Sequence, residues 1–234
     1  SRQTMDSVKA VLIPRIQGTV ENSGIQLALD PEKAPASEQV QPTGGVAVIP
    51  VHGLLVARRG QITQACTELT SYERIRSQLN AALNDPSISE IVLDINSGGG
   101  AAMGCKELAD YIYQSRETKP ITAIVNYNAF SAAYFIASAC SKIIVSQTSG
   151  VGSIGVIMEH LDTSKLEEKM GLTFTTIFRG DNKNNGTQHE PLSEEAQAMF
   201  QGMIDEMYET FTGSVAEYRG LDRQVVVDTQ AGLY

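Results

Sequence analysis

Short β-type apolar runs alternate with amphipathic segments along most of the chain, and this alternation limits the possible folds more than any other feature. The apolar runs cover residues 46–51, 88–95 and 121–125. Between them, residues 67–84 and 102–115 carry apolar side chains at helical spacing. Strands that alternate with helices are typical of a largely parallel sheet. The sequence therefore predicts an α/β domain that spans residues 45–234.

Later segments extend the same pattern. We predict strands at 142–145, 156–158 and 173–178, a Gly-rich turn at 149–155, and helices at 131–138, 164–170 and 193–217. Ser193, followed by Glu194 and Glu195, is a typical start for the last helix. Residues 1–44 contain a polar, Pro-containing stretch without periodicity and are predicted to be an N-terminal extension or linker.

Composition disfavours several classes of protein. The net charge is −9 and there is no basic run, which argues against a nucleic-acid partner. The cysteines, Cys66, Cys105 and Cys140, lack the spacing of a metal site and favour a reducing compartment. No apolar stretch approaches the ~20 residues that span a bilayer, so we expect no membrane anchor in this chain. It begins with Ser1 and stops at Tyr234, and both ends are expected to be cut.

The run from Asn96 to Gly100 contains three consecutive glycines after a predicted strand. Glycines can bring backbone N–H groups close to a ligand, as in an oxyanion hole. A flexible turn and a phosphate-binding loop are the alternatives. The second is weaker, because the G-K-S/T and G-x-G-x-x-G patterns are absent.

Ser131 lies where a predicted strand gives way to a predicted helix, and small residues follow it. This is the arrangement that a nucleophilic hydroxyl needs, with the next backbone N–H directed at the same oxyanion. A serine that simply caps the helix fits the same residues. The local sequence leaves both interpretations open.

A nucleophilic serine requires a base. His52, His160 and His189 lie in no recognisable triad context, so structural or surface roles fit them better. Lys183 follows a predicted strand within a polar loop. A lysine base requires a pKa lowered from about 10.4 towards roughly 7. An ordinary solvated surface lysine is the alternative for Lys183.

Four landmarks in order resemble those of the Ser–Lys peptidases of the signal peptide peptidase A type. The similarity covers about residues 45–233 and is greater still to the head-maturation (prohead) proteases of tailed phages. The landmarks are Asn96–Gly100, Ser131-Ala132-Ala133-Tyr134, Gly152-Ser153-Ile154-Gly155-Val156, and Gly180 to Lys183. Gly98 stands where the family usually has proline, and this change removes no backbone donor.

The resemblance implies a crotonase/Clp-protease-like fold of stacked β-β-α units. It also implies roles for residues. Ser131 would be the nucleophile, and Lys183 would be the general base and then the proton donor to the leaving amine. Ser153 would orient the lysine. The N–H groups of Gly99 and Ala132 would form the oxyanion hole.

The resemblance further implies a serine endopeptidase that acts through an acyl-enzyme without a cofactor or metal. In a phage, its substrates would be scaffold, portal or capsid proteins and possibly the enzyme itself, within a procapsid in the host cytoplasm. A homo-oligomer is expected. The alternatives are a bacterial peptidase that degrades signal peptides, a catalytically silent assembly or scaffold protein, and an acyl-CoA-processing crotonase relative.

Overall fold

The computed structural model describes residues 42–43, 45–60 and 69–234. The predicted N-terminal extension and Cys66 therefore lie almost wholly outside the described residues. The domain boundary near residue 44 stays a prediction.

The described chain forms a seven-stranded sheet in the order β1-β2-β4-β5-β6, with β3 beside β2 and β7 beside β5. β1 is antiparallel to β2, and every other pairing is parallel. The strands are β1 (Pro42–Thr43), β2 (Val46–Val56), β3 (Thr70–Ser71), β4 (Glu90–Gly100), β5 (Ile121–Phe130), β6 (Lys142–Val145) and β7 (Gly150–Gly152). The predicted parallel α/β class is confirmed.

Six helices are present in the described part of the chain: α1 (Tyr72–Asn84), α2 (Cys105–Ser115), α3 (Ala132–Ser138), α4 (Ser164–Lys169), α5 (Glu194–Arg219) and α6 (Arg223–Val227). The predicted cap of α5 is confirmed, because the Ser193 hydroxyl oxygen accepts a hydrogen bond from the N–H of Ala196 at 3.1 Å. Helix α6 was not predicted. Among the described residues, no helix is long and apolar enough to cross a membrane.

The core lies between one face of the sheet and the helices α1, α2 and α3, and it extends to the C-terminal half of α5, which packs against α3. The strands β2, β4, β5 and β6 neighbour one another in chain order, so right-handed crossovers place their connecting helices on the same face. In β4, Ile91, Leu93 and Ile95 point to this face and are fully buried. Val92 and Asp94 alternate with them and are only half-buried.

The prediction that β4 ends at Ile95 and gives way to a loop is wrong. The glycine run continues the strand to Gly100, because β2 also runs on and pairs with it through Leu54 and Leu55. A Cβ at Gly100 would lie 1.9 Å from the carbonyl oxygen of Leu55. Glycine is therefore required by the close approach of two strands, which no local pattern reveals.

The strands predicted at 156–158 and 173–178 are absent, and the predicted turn at 149–155 begins with strand β7 instead. No described strand pairs with either predicted segment. Their apolar side chains are exposed rather than packed, with Ile157 60% and Ile177 93% accessible. Apolar β-forming residues favour a strand, but a strand also requires a hydrogen-bonded neighbouring strand.

Candidate active site

Ser131 lies at the junction between β5 and α3 in a conformation that L-residues rarely adopt. Its φ is 52° and its ψ is −124°. The backbone is held by two hydrogen bonds, from the Ser131 N–H to Gly152 O and from the Phe135 N–H to Ser131 O, both at 2.9 Å. Such strain persists only where the surroundings enforce it, and it is often found at functional sites.

The hydroxyl of Ser131 makes no capping hydrogen bond to helix α3. Ser193, by contrast, caps α5 with its side chain in the ordinary way. The simple-cap interpretation of Ser131 therefore has no hydrogen bond to support it, and the nucleophile interpretation stays a prediction.

Gly99 lies against this serine. Its φ is 101°, and a Cβ there would lie 2.8 Å from Ser131 Cβ and 2.9 Å from Phe130 O. The N–H of Gly99 donates to the hydroxyl oxygen of Ser97 at 3.0 Å, and that hydroxyl donates to Gly53 O at 2.6 Å. The amide expected in the oxyanion hole is thus beside Ser131 but engaged by Ser97. Sequence reasoning included Ser97 in the motif and missed this contact.

Ala132 is the first residue of α3, and the N–H groups of a first helical turn have no acceptor within the helix. Its carbonyl accepts a hydrogen bond from the buried Cys105 thiol at 3.5 Å. The Tyr72 hydroxyl donates to Ala101 O at 2.6 Å, one residue beyond the glycine run. These contacts fix the two segments that flank Ser131. Nothing local in the sequence around Tyr72 indicates this role.

A cavity of about 310 Å³ opens beside the serine. Its walls come from the end of β4, from α2 and α3, from the segment after β7 and from one face of α5. The lining residues are Gly100, Ala102, Cys105, Lys106, Ser131, Ala132, Phe135, Gly155, Val156, Ile157, Glu206, Met207, Thr210 and Phe211. The space is large enough for one substrate side chain together with the adjoining backbone.

Ser153 follows β7, with a φ of 55°. Its N–H donates to Gly232 O at 2.8 Å, and the preceding Gly152 accepts the hydrogen bond from the Ser131 N–H. The C-terminal residues extend this contact, since Val151 and Tyr234 exchange two backbone hydrogen bonds. The backbone of Ser153 is therefore fixed next to that of Ser131.

Lys183 does not line the cavity beside Ser131. It is exposed, and its N–H donates to Gly180 O at 3.0 Å within a turn. The structure thus groups Ser131, Ala132, Gly99 and the backbone of Ser153 at the carboxyl ends of β4, β5 and β7. It leaves the predicted base on the exterior of the segment between β7 and α5.

The three histidines are engaged away from the cavity. His52 Nε2 lies 3.0 Å from Asp94 Oδ2 on the face of the sheet opposite the helices. His160 Nε2 lies 2.7 Å from Thr187 O. His189 Nδ1 lies 2.9 Å from Glu167 Oε1. These contacts support the structural interpretation of all three.

Burial raises the pKa of the Cys105 and Cys140 thiols to about 12. Both residues are almost inaccessible. A thiol with such a pKa stays protonated at neutral pH and is a poor nucleophile or metal ligand. The described residues contain no group of His, Cys, Asp and Glu that could hold a metal ion.

A strained serine at a strand–helix junction, beside a glycine run and a cavity in a parallel α/β domain, is typical of hydrolases with a serine nucleophile. The model of Peptidase family S49 matches residues 113–234. The chain belongs to this family.

Two phage proteins are among its most similar relatives. The head-tail preconnector protein GP5 of Enterobacteria phage P21 is 40% identical over 190 residues, which are 81% of this chain and 38% of that protein. The capsid assembly protease C of Escherichia phage lambda is 35% identical over 210 residues, 90% of this chain and 48% of that protein. The chain thus spans less than half the length of either relative.

Cellular relatives are also found. A putative signal peptide peptidase SppA of Enterococcus faecium is 29% identical over 189 residues, 80% of this chain and 54% of that protein. Among solved structures, a mutant of the membrane-bound stomatin-specific protease 1510-N has a TM-score of 0.50 at 16% identity. That comparison covers 83% of this chain and 74% of the other, and it shows a shared fold.

Proposed function

We propose that this chain is the catalytic part of a serine endopeptidase that cleaves extended protein segments through an acyl-enzyme. The observation that carries the proposal is Ser131, held at a φ of 52° with its hydroxyl uncommitted to the helix it begins. Its position beside the glycine run and the cavity supports attack on a peptide carbonyl. Membership of a peptidase family supports the same reaction.

In the proposed mechanism, the Ser131 hydroxyl oxygen attacks the scissile carbonyl as its proton passes to the neutral amine of Lys183. The oxyanion accepts hydrogen bonds from the N–H groups of Ala132 and Gly99. The Lys183 ammonium then returns the proton to the leaving amine, and Ser153 orients Lys183. Because Ser97 accepts the hydrogen bond of the Gly99 N–H, that donor has to be shared with or released to the oxyanion.

To act as the base, Lys183 has to reach Ser131, although it does not line the cavity beside that serine. We propose that a neighbouring copy of the chain supplies it. The segment that carries Lys183 exposes Phe174, Ile177 and Phe178, a surface that contact with another copy would bury. Such contact would also exclude water from the amine, which favours the neutral form that a base requires.

The phage relatives support scaffold, portal or capsid proteins as substrates, within a procapsid in the host cytoplasm. Self-cleavage belongs to the same proposal. The SppA relative supports the second candidate, a bacterial peptidase that degrades signal peptides. Purified procapsid proteins and a synthetic signal peptide, offered in competition, would separate the two candidates by the substrate consumed first.

The first test is cleavage of a disordered protein such as casein. Ser131→Ala and Lys183→Ala should each abolish cleavage, whereas Lys165→Ala, a change at an exposed lysine of α4, should not. Circular dichroism controls for folding. Full activity of the Lys183→Ala variant would refute the dyad.

A mixing experiment tests the neighbouring copy. Ser131→Ala and Lys183→Ala proteins, inactive alone, should regain part of the parent activity when they are unfolded together and refolded. A mixture that remains inert, while each variant still assembles with the parent chain, would place both groups within one chain.

A further inference from the structure

The cavity beside Ser131 has an apolar wall. The rings of Phe135 and Phe211 are stacked with their centroids 4.5 Å apart, and both are buried. Met207 and Ile157 complete the apolar wall. A side chain that enters from the scissile bond would therefore place its first carbons against aromatic and aliphatic surface.

Two charged side chains lie at the edge of this space, Lys106 from α2 and Glu206 from α5. The positive charge of Lys106 is compensated by Asp110, because its Nζ donates to both carboxylate oxygens of Asp110 at 2.6 and 2.9 Å. The same carboxylate accepts a hydrogen bond from the Tyr218 hydroxyl, which fixes it.

Glu206 has no such partner. It is exposed, and among the described residues no cation forms an ion pair with it. Its neighbour one turn along the cavity face is Thr210, which is uncharged. Lys106 and Asp110 balance each other, so among the described residues that line the cavity the one uncompensated charge is the negative charge of Glu206.

We propose that Glu206 determines substrate preference, so that this subsite takes a long side chain with an apolar stem and a cationic end, lysine or arginine. The inference rests on the proposed peptidase function. The stem would lie on Phe135 and Phe211, and the ammonium or guanidinium would reach the carboxylate at the edge, as long cationic side chains do elsewhere. An acidic side chain would meet the like charge and be disfavoured.

Binding to the Ser131→Ala protein tests this without dependence on turnover. Fluorescent peptides of alanine with one central variable residue, lysine, norleucine or glutamate, would be titrated by anisotropy. Norleucine matches the lysine stem and lacks the charge. We expect Kd to rise from lysine to norleucine to glutamate, about two- to fivefold at each step, as for an exposed ion pair.

Glu206→Gln should bring the three Kd values within about twofold of one another, and Glu206→Lys should reverse their order. The matched control is Glu209→Gln. Glu209 lies in the same helix, its carboxylate pairs with Arg223, and it does not line the cavity. This variant should leave the order unchanged. A lysine preference that survives Glu206→Lys, or a glutamate preference that Lys106→Gln abolishes, would overturn the proposal.

These results are independent of catalysis. If the lysine preference depends on Glu206 but the parent chain cleaves no protein, the proposed function fails and the subsite stands. If the parent chain cleaves casein and the three peptides bind equally, the function stands and the subsite assignment fails.

Discussion

Gly99→Ala should inactivate the protein without unfolding it. The new Cβ would lie 2.8 Å from Ser131 Cβ and 2.9 Å from Phe130 O, both too close for any real contact. To reach an ordinary 3.4 Å, the two Cβ atoms must separate by about 0.6 Å. The backbone at a φ of 101° is also strained for alanine, at a cost of about 1–3 kcal/mol.

The displaced partner is the proposed nucleophile. A misplacement on the order of 1 Å costs about 100-fold in rate, so we expect kcat/KM on a peptide substrate to fall by roughly two orders of magnitude. The free energy of unfolding should fall by about 1–3 kcal/mol, out of an ordinary total of ~5–15 kcal/mol. Urea denaturation and cleavage kinetics on the same preparation measure both effects.

Gly202→Ala is the matched control. Gly202 lies in α5, a Cβ there would meet nothing within 4 Å, and it does not line the cavity. Alanine in a helix interior is more stable than glycine by about 0.5–1 kcal/mol, so this variant should be slightly stabilised and fully active. If Gly99→Ala kept within about threefold of the parent activity, the close packing of the glycine run against Ser131 would be irrelevant to the reaction, and the reasoning would be refuted.

Three further outcomes are expected. Ser97→Ala should destabilise the fold by about 1–3 kcal/mol, because it leaves the buried amide of Gly99 unpaired; it should lower kcat, because Ser97 fixes that amide beside Ser131, and a higher kcat would mean that release of the amide from Ser97 limits the reaction. In a Cys66→Ser background, Cys105 and Cys140 should resist iodoacetamide at pH 8 and react after denaturation, since burial raises the pKa of each to about 12; rapid labelling of the folded chain would contradict this. The hydrogen bond from Thr163 lowers the pKa of Glu167 below its unfolded value of about 4.3, so its contribution to stability is present above that pH and is lost as the pH falls through the folded pKa. Glu167→Gln should therefore flatten the dependence of Tm on pH in that acidic range, and an unchanged dependence would show that Glu167 plays no part.

The local sequence was sufficient to predict features that depend only on interactions between neighbouring residues. The helix cap at Ser193 was predicted, because capping depends on a few adjacent residues. The extension of β4 through Gly100 was not, because it depends on the path of Leu55 some 45 residues away (100 − 55). The strands predicted at 156–158 and 173–178 are absent because β-type residues alone do not form a strand, and no described strand lies beside them.

The same distinction explains the arrangement of the candidate site. Gly99 lies in β4 and Ser131 directly follows β5, and the pairing of these two adjacent strands brings Ser97 beside Ala129. The register of the sheet therefore places Gly99 beside Ser131. Both motifs follow predicted parallel strands, so the sequence was a good guide to their proximity. Tyr72 and Cys105 support the same segments from distant helices, and no local signal marks them.

Lys183 lies in a segment that is not part of the sheet. That segment contributes no strand, so strand register does not fix the distance between the Lys183 amine and Ser131. If another copy supplies the amine, activity depends on assembly as well as on folding. Specific activity should then fall on dilution while the circular dichroism of the chain stays constant, because the domain core is built within one chain. Sedimentation velocity at the same concentrations should show dissociation in step with the loss. A specific activity independent of dilution through the point of dissociation would mean that Lys183 reaches Ser131 within its own chain, by a movement of the segment between β7 and α5.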